Sequence, residues 1–181
     1  AYTVGSAVKG ASMAVGYKEG IIDIGTRLTD SCVKLANMPA KCSYRRLGVL
    51  NDVQALALSS NYYQFIIALG IMGYKYTYNM NATATIDHFN IYRNSFAEFG
   101  LGTSTGIDLP GESTGLKGST VAPDLLMNLA IGQYDLYTPV QLLQYINTIA
   151  NNGFRLKLSL MNSIQKDGEL VLERKTEQLN Q

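Results

Sequence analysis

The chain is short of charge, of histidine and of long apolar runs, and each shortage removes a class of function. Charged residues make up 16% of its 181 residues and leave a net charge of +1, with acids and bases interspersed. A nucleic-acid-binding surface needs a basic excess, and none is written here. The longest apolar run, Phe65 to Met72, is far too short to cross a bilayer, so no membrane contact is expected from this segment. His88 is the single histidine and no clustered Cys/His spacing accompanies it, so no metal and no cofactor is expected. No signal peptide opens the chain, and Ala1 rather than Met stands first, which implies a processed or cut chain. Only two cysteines occur, Cys32 and Cys42, ten residues apart in a polar stretch. That spacing leaves a disulfide open for an extracellular domain, with two unpaired thiols as the expectation.

What is present suits a globular core. Hydrophobic residues reach 46%, enough for one ordinary domain or a large piece of a bigger one. The spacing predicts a helix from Gly5 to about Glu19, then an irregular stretch to Leu50. Asn51 is placed to cap a short helix through Ser59, with Gln54 reaching back. Further helices are expected over Tyr62–Met72, Thr85–Phe99, Pro123–Ala130 and Thr138–Asn151. The stripe Phe89, Tyr92, Phe96, Phe99 marks the buried face of the second of these, and Leu142, Leu143, Ile146, Ile149 and Ala150 that of the last. Phe154 to Leu160 alternates apolar with polar and reads as a strand. Residues 165–181 read as a polar tail or cut end. A single strand is not a stable unit, so its sheet partners are expected outside this chain.

Two short motifs carry chemistry. Ser6-Ala7-Val8-Lys9 opens the first helix. A serine needs a base to take its proton, and a lysine three residues on lies one turn away on the same face. A helix start adds free N–H groups and a dipole that favour developing negative charge. Lys9 has to be neutral to act as that base, which calls for a dry site or a nearby cation. The spacing alone is weak, because an ordinary polar helix face also carries it. It recurs at Ser31–Lys34, in a loop, and at Ser163–Lys166, near the tail. Ser59-Ser60-Asn61 falls between two predicted helices. There a hydroxyl can relay a proton and a carboxamide can bind a substrate amide. Simple helix capping by Ser59 and Asn61 accounts for the same residues equally well.

Together these motifs resemble the signature of penicillin-recognising serine enzymes. Gly100-Leu101-Gly102, Thr105 through Glu112, Ile131-Gly132-Gln133-Tyr134-Asp135, Tyr137 through Leu142 and Ile149 through Gly153 extend the likeness. The ordered set, from Ala1 to about Ile164, resembles the transpeptidase domain of penicillin-binding proteins. The Gly-Gln-Tyr-Asp form is most similar to class B, division-associated enzymes of Gram-positive bacteria. Val4 departs from the pattern, standing where many members have proline.

The resemblance implies an α+β fold, of which residues 1–164 would be the helix-rich part with most of the antiparallel sheet missing. Helix faces that normally cover that sheet would then be exposed. It implies Ser6 as the acylated nucleophile, Lys9 as general base, Ser59 as proton shuttle and Asn61 as the substrate amide's partner. The reaction would be peptidoglycan D,D-transpeptidation, with a D-Ala-D-Ala stem peptide as donor and β-lactams as inhibitors. The site would face outward from the cytoplasmic membrane, on a parent anchored by a segment not present here and joined to division-complex proteins. The family's third motif, Lys-Thr-Gly or Lys-Ser-Gly, does not occur in the sequence, and Lys175-Thr176-Glu177 is a poor substitute. A weakly active or inactive isolated chain is therefore expected. A β-lactam-binding sensor and a catalytically silent division-complex module remain the alternatives. Asp108 and Glu112, in a Gly/Pro-rich loop, read as turn residues rather than paired catalytic carboxylates.

Overall fold

Caps decide where the helices begin. In the structure, a computed structural model describing residues 1–179, Asn51 accepts from the Gln54 amide and the Gln54 side chain reaches back, starting α2 (Asp52–Ala57). Thr138, Pro139 and Gln141 do the same for α6 (Pro139–Ala150). Thr85 starts α4 (Ile86–Glu98), with His88 Nδ1 accepting from the Thr85 amide. The lone histidine is thus part of a capping box.

A 3-10 turn, Gly5–Val8, runs directly into α1 (Lys9–Lys18). Helix α3 spans Asn61–Ile71 and α5 spans Pro123–Ala130. Helix α1 packs against α3 and α4, and α3 against α5. Small residues let neighbours come close to α1: a side chain at Gly16 would press on Ile22 and Ile67, and one at Gly10 on Tyr145. Val8, Ala11, Val15, Phe65, Ile67, Leu69, Phe89, Tyr92, Phe96, Leu126 and Leu129 form one core. Each large side chain there contributes roughly 1.5–3 kcal/mol by leaving water. The expected stripe on α4 is buried over Phe89, Tyr92 and Phe96, with Phe99 packed at its edge.

Four departures from expectation stand out. The first is α6, which faces the other way round. Gln141, Gln144, Tyr145 and Thr148 are buried, while Leu143, Ile146 and Ile149 are about half exposed. Its polar side chains serve backbone that has no ladder: Gln141 Nε2 donates to Thr103 O, and Gln144 Nε2 to Thr105 O and Leu156 O. Exposed apolar helix faces of this kind are what the resemblance implies for a helix-rich part without its sheet.

Second, Phe154 to Leu160 is not a strand. It makes one bridge, Leu156 to Gln178. Beyond the two bonds that flank that bridge, Phe154 N donates to Asn151 O, Leu158 N to Thr105 O and Leu160 N to the Asp108 carboxylate, so no regular ladder forms.

Third, the polar tail contains a hairpin, β5 (Ser163–Lys166) with β6 (Glu169–Glu173), turning at Asp167-Gly168. Asp-Gly is the turn dipeptide that favours it.

The fourth concerns the irregular stretch. It holds two-residue antiparallel pairs: β1 (Leu28–Thr29) with β4 (Val49–Leu50), and β2 (Cys32–Val33) with β3 (Lys41–Cys42). Cys32 lies directly opposite Cys42, and the two form a disulfide rather than free thiols. Strands this short carry no periodicity, so the sequence could not show the pairing. Closing a loop of this length stabilises by about 2–3 kcal/mol. Reduction with dithiothreitol is expected to lower the melting temperature by several degrees, and the Cys32→Ser/Cys42→Ser double variant to match the reduced protein.

Candidate active site

The segment before Ser6 is fixed by backbone pairing. Tyr2 and Tyr137 exchange both N–H···O bonds at 3.0 Å, and Gly5 N donates to Gly132 O at 2.9 Å. A Cβ at Gly132 would lie 2.2 Å from the Gly5 carbonyl oxygen, and its φ of +73° already favours glycine. The Ile131–Asp135 stretch thus aims the start of the first turn. Gly132→Ala is expected to displace Ser6, cost about 1–3 kcal/mol and slow acylation at least tenfold, read by fluorescent-penicillin labelling alongside thermal melting.

In a 3-10 turn side chains three apart eclipse, which sets Ser6 and Lys9 in line. Lys9 N donates to Ser6 O, closing that turn. Ser6 itself is exposed. Lys9 is 1% exposed, because α1 runs through the core. Its Nζ donates to Ser59 O at 2.7 Å, Ser59 Oγ at 2.9 Å and Asn61 Oδ1 at 2.6 Å. Burial lowers its pKa to about 8, against an opposing pull from the Asp30 carboxylate. Roughly a tenth of molecules then hold the neutral amine at pH 7.

The other half of the cluster comes from the end of α2. Ser60 N donates to Ala55 O and Ser59 N to Leu56 O, the paired bonds that close a helix through a left-handed residue. Glycine normally fills that position, yet here it is Ser59, at φ +54°. The strained backbone turns both its carbonyl and its hydroxyl onto Lys9. Ser59→Gly is expected to slow acylation tenfold or more while stability changes by less than about 1 kcal/mol, because backbone relief offsets the lost hydrogen bond. Ser60, not Ser59 or Asn61, caps α3 by accepting from Tyr63 N. The side chains of Ser59 and Asn61 therefore stay on Lys9.

The other Ser-x-x-Lys copies are not comparable. Ser31 and Lys34 flank β2, with Lys34 Nζ bound to Met38 O. Ser163–Lys166 is strand β5, where side chains three apart point to opposite faces. Asp108 accepts from Ser159 Oγ, Leu160 N and Met161 N. Those bonds hold its carboxyl well below the usual range. Burial pushes Glu112 up, but its bonds from Ser104 and Thr105 outweigh that and hold it low. Both carboxylates stitch loops. Glu177 pairs with Lys157, so the Lys175-Thr176-Glu177 string has its own surface role. Among the described residues no group of three or more acidic, histidine or cysteine side chains could hold a metal.

Sequence reasoning missed the supports. Asp135 is buried and accepts from Arg93 Nε and Nη2, both at 2.8 Å, and from Gly118 N at 2.9 Å. It lies between Gly132 and Tyr137, the two anchors of the nucleophile segment. Asp30, Ser43 and Ser60 form a second buried group behind Asn61. Neither constellation has a local spacing that reveals it.

The whole chain, residues 1–181, matches the family model described as penicillin binding protein transpeptidase domain. It is 41% identical to penicillin-binding protein H of Bacillus subtilis over 169 residues, 93% of this chain and 24% of that protein. It is 40% identical to penicillin-binding protein 2B of Streptococcus pneumoniae serotype 2, over 90% of this chain and 25% of that one. A solved penicillin-binding protein 2B from S. pneumoniae strain 5204 superposes with a TM-score of 0.94 at 37% identity, covering 99% of this chain and 32% of that one. The chain thus spans about a quarter of the length of these curated relatives. A backbone-anchored serine one turn before a buried lysine, in a chain matched from end to end, leaves one assignment: the chain belongs to the transpeptidase-domain family of penicillin-binding proteins.

Proposed function

We propose that this chain forms the acylation half of a peptidoglycan D,D-transpeptidase site, with Ser6 as nucleophile. The observation that carries the reading is the Lys9 amine, desolvated and held by Ser59 and Asn61 one turn after Ser6. Neutral Lys9 takes the Ser6 proton as Oγ attacks the carbonyl of the penultimate D-Ala of a stem peptide. The Ser6 N–H donates to the developing oxyanion, supplying half of the stabilising pair. As the tetrahedral adduct collapses, the proton passes from Lys9 through the Ser59 hydroxyl to the departing D-Ala amine. Asn61 holds the donor's amide. A neighbouring stem-peptide amine then attacks the Ser6 ester, loses its proton along the same relay, and Ser6 Oγ regains one on leaving. A β-lactam follows the first half and stays attached, because its leaving amine remains tethered to the acyl group.

The site of such an enzyme faces the outer side of the cytoplasmic membrane, where the donor peptide is found. The class B, Gram-positive likeness points to division-complex proteins as partners. No helix among the described residues is long and apolar enough to cross a membrane. In the full-length protein, incubation with a D-Ala-D-Ala stem peptide and an amine acceptor is expected to release D-Ala and yield the cross-linked product. Release of D-Ala without cross-linking would overturn transpeptidation in favour of hydrolysis.

One observation favours a second reading. The three bonds of Lys9 Nζ all go to Ser59 and Asn61, and among the described residues none reaches the Ser6 side chain. A sensor or silent module would look the same. It would acylate slowly or not at all and form no cross-link.

A further inference from the structure

Two serines serve the start of α3. Ser43 Oγ accepts from Asn61 N at 3.0 Å and Tyr62 N at 3.2 Å, and Ser60 Oγ accepts from Tyr63 N at 3.1 Å. Three of the helix's four free amides are thereby satisfied by hydroxyls. A hydroxyl can accept at this spot only if its own proton points elsewhere. Both protons point at one atom: Asp30 Oδ2 accepts from Ser43 Oγ at 2.7 Å and from Ser60 Oγ at 2.6 Å. Asp30, Ser43 and Ser60 are all buried. Asn61 is also tied to this corner through Nδ2, which donates to Cys42 O at 3.2 Å. The Cys32–Cys42 bridge clamps the two strands beside which Asp30 and Ser43 stand.

We propose that Asp30 is a positioning residue for the acylation site: through Ser43 and Ser60 it fixes the Ser59–Asn61 corner, and its charge faces Lys9 from behind. This rests on the reading of Ser6 and Lys9 given above. Both serines donate to Asp30, which serves here only as an acceptor. Replacing it by alanine would remove both the charge and the one oxygen that accepts from both serines, so their hydroxyls must turn to other acceptors. An amide of α3 then loses its acceptor and the corner loosens.

The charged groups around Lys9 make the electrostatic part separable. From the α2–α3 junction it meets only the neutral Ser59 and Asn61. From the other elements packed on α1, Asp52 is bound to Tyr17, Glu98 to Lys18 and Arg93 to Asp135. Asp30 is the carboxylate that acts on the amine, and it favours the protonated form. Without it Lys9 would lose its proton at lower pH. The rising limb of the acylation–pH profile would move down even as the plateau falls. A purely structural role lowers the plateau and leaves the limb in place.

The test uses the full-length protein and its Asp30→Ala and Ser43→Ala variants. Benzylpenicillin acylation rates are measured from pH 6 to 10, and amide hydrogen exchange is followed at residues 61–63. Asp30→Ala is expected to lower the plateau tenfold or more, to shift the limb to lower pH, and to speed exchange at those amides at least tenfold with α6 unchanged. Ser43→Ala, which keeps the charge, should speed exchange at residues 61 and 62 and lower the plateau without moving the limb. A folded Asp30→Ala protein with wild-type exchange at these amides would overturn the proposal. So would a lowered plateau with an unmoved limb. Should Asp30→Ala not fold, Ser43→Ala decides: unchanged exchange and plateau would overturn it. The exchange readout needs no acylation, so failure of the wild type to acylate would sink the enzyme reading and leave this one to be judged separately.

Discussion

Replacing Lys9 with methionine is expected to slow β-lactam acylation by roughly two to four orders of magnitude, the usual weight of a positioned general base, without unfolding the protein. Methionine is unbranched and of similar length, so it fits the space that the Lys9 side chain fills. It cannot take the Ser6 proton. Three acceptors, Ser59 O, Ser59 Oγ and Asn61 Oδ1, lose their donor, but Ser59 and Asn61 are only half-buried, so solvent can replace it. The pH dependence gives a second signature. With Lys9 at about 8, wild-type acylation should rise from neutrality and level above that value. The methionine variant should be flat. Stability follows the same group with a definite sign. Lys9 has a folded pKa below its ordinary 10.5, so between about 8 and 10.5 the unfolded chain binds a proton that the folded chain has lost. Stability from this group therefore rises with pH across that window. Denaturant melts at pH 7.5 and 9.5 should show the rise in the wild type and lose it in Lys9→Met.

Asp135→Asn should be the most destabilising single exchange, at about 3–5 kcal/mol, because it leaves a buried guanidinium without its counter-charge. Arg93 presents a two-pronged contact to Asp135, donates also to Gly118 O, and stacks over Phe89. Its charge has nowhere to go: it is 8% exposed and set in α4. For a chain of this size the loss corresponds to a fall on the order of 10 °C in melting temperature. The damage should reach the site, since Asp135 also takes the Gly118 amide and sits between the two points that hold Tyr2 and Gly5. Acylation of the folded fraction at low temperature should drop along with stability. A variant that melts within 2–3 °C of the wild type would show that the pair is neutral in place.

The helices and both motifs were legible because they depend on local rules. Asn51 with Gln54, Thr138 with Gln141, and the aromatic stripe of α4 each announce themselves within a few residues. What stayed hidden depends on residues far apart. Cys32 and Cys42 meet only because two-residue strands pair, and Asp30 reaches Ser60 only across that same corner. The buried face of α6 departs from its apolar stripe for a physical reason. Hydrophobic periodicity finds an apolar face but not whether the chain itself covers it, and here Gln141 and Gln144 turn inward to serve loop carbonyls. The alternation in Phe154–Leu160 failed similarly, because its backbone partners are side chains and loop carbonyls. At Ser59 the sequence offered capping and chemistry on equal terms. The left-handed backbone and the cap at Ser60 direct Ser59 and Asn61 to Lys9 instead.

The central claim is that Ser6 is a nucleophile served by Lys9. Its most direct test is the intact mass of the full-length protein after incubation with benzylpenicillin, run beside Ser6→Ala. The account predicts a mass increase of one penicillin in the wild type and none in the variant. A folded wild type that gains no mass, or an adduct that persists in Ser6→Ala, would contradict it.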